Sequence, residues 1–187
     1  HPVAPNVLAG RFWAQHPNER WLADISYIWT REGWLYLAVI LDLFSRRVVG
    51  WALEARLTGT IIELALKMAI ARRQPAPGIV HHSDRGSQYT SRPYQKLLAG
   101  NHMLVSMSGR GNCYDNAPVE SFFATLKSEL VHPRRYRSRE EAKSDVFYYI
   151  EAFYNRKRRH SALGYMSPVD FEQLHAPLQP SALTLCP

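Results

Sequence analysis

The chain has 187 residues, 46% of them apolar and 21% charged, which suits one globular domain with its own core and excludes a disordered tail. Its longest apolar stretch, Leu35 to Leu41, is far too short for a membrane span, so no membrane partner is expected. The formal net charge of +7 makes a polyanion the natural partner, because lysine and arginine bind phosphate backbones by releasing condensed counterions.

No signal peptide is evident, and a chain opening at His1 rather than methionine reads as a piece of something longer. Cys113 and Cys186 lie far apart without a CxxC partner, which argues against a disulfide scaffold or structural zinc and fits a reducing cytoplasm.

Residues 1–20, dotted with prolines, read as an irregular lead-in. Three strand-like runs follow: Trp21 to Trp29, Leu35 to Asp42 and Arg47 to Leu53. Their joints, Arg31-Glu32-Gly33 and Ser45-Arg46, are short enough for an antiparallel meander. The period then changes, with Ile61, Leu64, Ala65, Met68 and Ala69 predicting a helix over 60–73. A fourth strand is predicted over 79–82, a helix over 93–99 and a short fifth strand over 103–106.

After a loop with Gly109 and Gly111, a helix over 116–131 places Val119, Phe122, Phe123, Leu126 and Leu130 on one face. A last helix opens on the capping-box sequence Ser138-Arg139-Glu140-Glu141 and runs through Val146, Ile150 and Tyr154 into the basic run Arg156 to His160. Residues 21–173 read as the core and 174–187 as a flexible tail, with no internal repeat. This order predicts an α/β fold, a mixed five-stranded sheet flanked by helices, similar to the ribonuclease-H-like architecture.

Phosphoryl transfer on DNA asks for little covalent chemistry from a protein and much electrostatic stabilisation. Two hard divalent cations supply it, held by two or three carboxylates. Three acidic residues stand where elements begin or end. Asp24 lies inside an apolar, aromatic strand, where a carboxylate is costly without a partner. Asp84 follows the fourth strand directly, and Glu120 falls early in the 116–131 helix, with Lys127 at i+7 on nearly the same face and placed to hold a phosphate. The spacing of Asp84 and Glu120 carries no weight alone, since 16 acidic residues in 187 give about one such pair by chance.

Other residues keep two readings. Asp42 is a fourth ligand, as in nucleases of this fold, or a cap for the turn into Ser45. His81 and His82 are structural or DNA-facing rather than ligands, since oxygen-preferring metals do not call for imidazole. Asp115 and Asn116 are helix caps, with DNA contact a second role for Asn116. Gln88 and Tyr89 meet DNA or serve turn chemistry. Arg156, Lys157, Arg158, Arg159 and His160 contact the DNA backbone or form a solvated helix end.

Five segments in order carry a specific resemblance: Trp21 to Tyr27, Leu35 to Trp51, His82 to Tyr89, Gly109 to Phe123, and Tyr154 to Pro168. Over residues 11–173 the chain resembles the retroviral-integrase-like core of bacterial insertion-sequence transposases of the IS-three family. The resemblance places Asp24, Asp84 and Glu120 at the DDE triad positions. It implies a DNA strand-transferase using Mg²⁺ or Mn²⁺, two ions per site, acting on insertion-element ends and target DNA. A homo-oligomer and a bacterial, nucleoid-associated cytoplasmic location are implied with it. Family members carry a helix-turn-helix and often a coiled coil ahead of this core, and neither is found in these residues.

Overall fold

A computed structural model describes residues 4–109 and 116–175. Five strands form one sheet in the order β3-β2-β1-β4-β5. The first three, β1 (Arg20–Thr30), β2 (Gly33–Asp42) and β3 (Val48–Glu54), make the expected antiparallel meander, with a register shift at Ile40/Leu41. β4 (Val80–Ser83) adds parallel to β1, and β5 (Leu104–Met107) parallel to β4.

Continuous apolar sequence in β2 follows from its central place, since both faces are covered. One face carries Leu22, Ile28, Leu37 and Val39 and packs on α3 (Ala117–Leu126) and α4 (Arg139–Tyr148). The other carries Trp21, Ala23, Ala38 and Ile40 and packs on α1 (Gly59–Arg73) and α2 (Arg92–Gly100). α3 and α4 each continue in wider, π-type turns, over Lys127–Val131 and Tyr149–Tyr154.

The capping box at α4 forms with a shift of one residue. Glu141 N–H donates to Ser138 Oγ (3.1 Å), while the Glu141 carboxylate accepts from Arg137 N–H (2.8 Å) rather than from Ser138. A further helix that the periodicity did not announce, α5 (Pro168–His175), packs at the β2–β3 turn. Its buried Glu172 accepts from Ser45 Oγ (2.7 Å), Arg47 Nη1 (2.7 Å) and both terminal nitrogens of Arg73 (2.9 Å each).

β3 and α1 approach each other so closely at Gly50 that a Cβ there would meet the Ala65 carbonyl oxygen and lie 2.8 Å from the backbone nitrogen and Cβ of Ala69. These atoms belong to a rigid helix and cannot swing aside. Gly50→Ala is therefore expected to cost about 3 kcal/mol, read as a lowered urea midpoint with an unchanged slope.

Candidate active site at the β1–β4 divergence

The two aspartates come together through strand register. β1 pairs with β4 only over Arg20–Leu22, ending at Leu22 opposite His82. Two residues beyond that last pair stand Asp24, still within β1, and Asp84, just past the end of β4, so the parallel register brings them to the same level as the chains part. The β1 edge beyond Leu22 is then open, and Asn116, at the head of α3, donates its side-chain N–H to the Ala23 carbonyl (3.3 Å). This contact ties the first turn of α3, which carries Glu120, beside Asp24.

Electrostatics records the convergence. The Asp24 carboxyl is raised from its ordinary 3.8 to about 7, first by burial, with the charges of Asp84 and Glu120 pushing the same way. The Ile25 N–H donates to Asp24 Oδ1 (2.8 Å) and, with Lys127, opposes the rise. Asp84 is exposed, its Oδ1 accepting from Gly86 N–H (2.8 Å), and Glu120 is exposed on α3. Lys127 is half-buried, with Nζ 4.8 Å from the ring centre of Tyr27. Tyr27 was not singled out from sequence, because the cation it meets stands 100 positions away and leaves no local signal.

Among the described residues, no three His, Cys, Asp or Glu side chains stand close enough to hold a metal ion as they are. The donor set fits a hard divalent cation by its chemistry instead. The charges of Asp84 and Glu120 both act on Asp24, opposed by Lys127, and Asp24 resists ionisation first because it is buried and then because of those two acids.

Several sequence readings change on contact with the structure. Tyr89, for which DNA contact and turn chemistry both stood open, is only 2% exposed; its ring packs edge-on against Tyr94 (5.7 Å), and its hydroxyl is buried without a hydrogen-bond partner among the described residues. Burial raises the Tyr89 hydroxyl well above its ordinary value, with Asp24 and Asp84 contributing, so it stays protonated behind the site. Asn116 stands at the helix cap but makes no capping hydrogen bond with its side chain, which serves Ala23 instead. Asp115 and Cys113 lie outside the described residues. Gln88 is half-buried in the turn after Asp84.

Asp42 takes its turn-capping role. It is fully buried, accepting from Phe44 N–H (2.9 Å) and Asn18 N–H (2.8 Å), with Arg73 Nη2 at 3.4 Å. His81 and His82 are buried and structural, His81 Nε2 meeting the Tyr94 hydroxyl (2.9 Å) and His82 spanning Ser106 and Ser108 (2.8 and 3.2 Å). The basic run divides. Arg156, Lys157 and Arg159 are exposed, whereas Arg158 is clamped by Glu129 (2.8–3.0 Å) and His160 is half-buried against Tyr154.

Comparison with known proteins agrees with this architecture. Integrase core domain families match residues 14–113 and 120–175. The chain is 49% identical over 171 residues to the transposase InsF for insertion sequence IS3A of Escherichia coli (strain K12), covering 91% of this chain and 59% of that protein. It is 48% identical over 172 residues to the insertion element IS600 uncharacterized 31 kDa protein of Shigella sonnei, covering 92% of this chain and 63% of that protein. It thus spans about three-fifths of the length of these relatives. The HTLV-2 integrase catalytic core domain, solved in complex with magnesium in a trimeric form, superposes with a TM-score of 0.64 at 18% identity, covering 86% of this chain and 97% of that one. That likeness establishes the ribonuclease-H-like fold. The chain belongs to the integrase core domain family, in the branch that holds the IS3 insertion-sequence transposases.

Proposed function

We propose that this chain cleaves DNA at the ends of a mobile insertion element and transfers the freed strand to target DNA, with Asp24, Asp84 and Glu120 holding two Mg²⁺ or Mn²⁺ ions. The observation that carries this reading is the Asp24 carboxyl, held up to about 7 by burial and by the other two acids. A group so placed gains most from a cation. The magnesium complex of the HTLV-2 core and the transposase name of InsF support the same chemistry.

When bound, such ions stabilise charge on the attacking and leaving oxygens of the scissile phosphate. The chain's own groups prepare for this. Asp24 must release its proton before it serves as a ligand, so binding weakens as pH falls below about 7. Asp84 is held in place by the Gly86 N–H, and Glu120 by the rigid first turn of α3. Lys127, beside Asp24, holds a backbone phosphate, while the exposed Arg156, Lys157 and Arg159 draw the DNA in. The active complex is a homo-oligomer on DNA.

The test compares the unaltered chain with Asp84→Asn and Glu120→Gln, using labelled element ends and Mg²⁺, alongside calorimetric titration with Mn²⁺. Both variants should lose cleavage and the titrated metal site while keeping the fold and DNA affinity. Full cleavage by either would remove that residue from the site.

A further inference from the structure

On the flank of α3 next to Glu120 opens a cavity of about 600 Å³, walled by Ser121, Arg46, Arg158, Arg159, His160 and Tyr165 among others. Its size falls within the roughly 300–1,000 Å³ of pockets that take small ligands, and it is too small for a duplex. Nothing in the triad chemistry uses it.

Its chemistry is that of an anion site. Arg46 donates from Nη2 to the Phe12 carbonyl (2.9 Å), but its Nη1, like His160 Nε2, is buried with no hydrogen-bond partner among the described residues. Both nitrogens are sealed from solvent, so these side chains act on the cavity through their charge and dipole rather than by direct contact. Three arginines line the cavity, and only Arg158 is neutralised, by Glu129. Arg159 is exposed and has no ion-pair partner among the described residues. The surplus positive charge is felt by His160, whose pKa is lowered to about 4 by burial first, then by Arg158 and Arg46, against the pull of Glu129.

The same cavity holds two non-glycine residues in the left-handed backbone region, Arg46 (φ 60°) and Tyr165 (φ 61°). Such conformations cost about 1–3 kcal/mol and persist where surrounding contacts enforce them, commonly at functional sites. Here the Tyr154 hydroxyl holds the Arg46 carbonyl (3.2 Å), and the Tyr165 N–H holds the His160 carbonyl (2.9 Å). The turn projects the Tyr165 ring, 70% exposed, at the cavity wall.

We propose that this cavity binds one unpaired nucleotide of a DNA strand, its phosphate on Arg159 within the field of Arg46 and its base stacked on Tyr165. The proposal rests on the reading of the chain as a DNA-acting enzyme, and it adds a place beside α3 where a strand leaving the triad is held. Ser121, adjacent to Glu120 in sequence and on the cavity wall, makes α3 the partition between the two.

The experiment uses the chain as it stands, with a fluorescent single-stranded oligodeoxynucleotide, a blunt duplex of the same sequence, and inorganic phosphate. Tyr165→Ala is expected to weaken single-strand binding roughly tenfold, as loss of one stacking ring does, with duplex affinity unchanged. Arg159→Gln should lower the salt dependence of single-strand binding by about one ion. The His160 imidazole resonances should shift on adding the oligonucleotide, as phosphate charge raises that ring's proton affinity. Equal losses for single strand and duplex, or none in Tyr165→Ala, would overturn the proposal. So would phosphate competing equally against the oligonucleotide in the unaltered chain and in Tyr165→Ala, since the cavity would then have no place for a base. Cleavage by Asp84→Asn is a separate readout: its survival sinks the assigned triad and leaves the nucleotide pocket standing.

Discussion

Asp24→Asn should abolish metal-dependent strand cleavage and yet leave the metal-free protein more stable at pH 8 than the unaltered chain. The catalytic loss is expected at about a thousandfold or more, equivalent to about 4 kcal/mol of transition-state stabilisation. The stability gain has the opposite sign because the Asp24 pKa rises on folding, from 3.8 to about 7. Below pH 4 both folded and unfolded chains carry the proton, and Asp24 costs nothing. Between pH 4 and 7 the unfolded chain ionises first, so the cost grows; above pH 7 it is complete. Discounting for partial exposure, removal of the charge recovers about 2–3 kcal/mol, which for a chain of this length is roughly 5–10 °C in Tm. Melting in chelator at pH 4 and pH 8 checks it. A variant no more stable at pH 8 would mean that Asp24 is not electrostatically strained. Mg²⁺ should then raise the Tm of the unaltered chain by mass action and leave Asp24→Asn unmoved.

Arg73→Met carries the largest expected loss of stability, about 3–5 kcal/mol, because it removes the cation that two buried carboxylates share, although Glu172 keeps its ion pair with Arg47. Arg73 bridges Glu172 by two hydrogen bonds of 2.9 Å, reaches Asp42 at 3.4 Å and donates from Nε to Asn18 Oδ1 (2.8 Å). Burial works to raise the Glu172 carboxyl, but Arg73, together with Ser45 and Arg47, brings Glu172 below its ordinary value. Asp42 is raised to about 6 by burial despite its backbone donors and Arg73. Without the guanidinium both acids titrate higher. The gap between variant and parent is therefore widest above pH 6 and narrows on acidification, as the stranded carboxyls take up protons. Urea unfolding at pH 8 and pH 5 reads this directly, and adding Asp42→Asn with Glu172→Gln should restore most of the loss. A gap independent of pH would point to lost packing rather than to uncompensated charge.

These two cases show where sequence speaks and where it is silent. Asp24 was legible because an acid inside Trp21 to Trp29 breaks an apolar strand, a local anomaly with a physical cost. The meander, the α1 period and the capping box were legible for the same reason, being short-range patterns. α5 was not, since its anchor is ionic and joins Glu172 to Arg73, 99 positions away. Only Pro168, a favoured first helical residue, hinted at it. Tyr89 was misread because a residue following Ser-Asp-Arg-Gly looks like turn surface. In the folded chain that turn doubles back, and Gln95 Nε2 holds the Tyr89 carbonyl (2.7 Å) while the ring is driven inward. Arg46 drew no notice as a joint residue, because nothing local marks a guanidinium with one nitrogen left unpaired among the described residues.

The strand order has a consequence for how this site tolerates change. From β1 the chain steps outward through β2 and β3 and then crosses back to lay β4 and β5 on the opposite side. β1 is therefore the point where the winding direction reverses, and in open α/β sheets a crevice at the carboxyl end of such a strand needs no special residues to exist. The parting of β1 and β4 is thus a product of topology, and the proposed ligands Asp24 and Asp84 stand just beyond it. Lengthening the β2–β3 turn leaves that crevice intact, whereas one residue inserted between His82 and Asp84 rotates the second acid to the other face of the sheet.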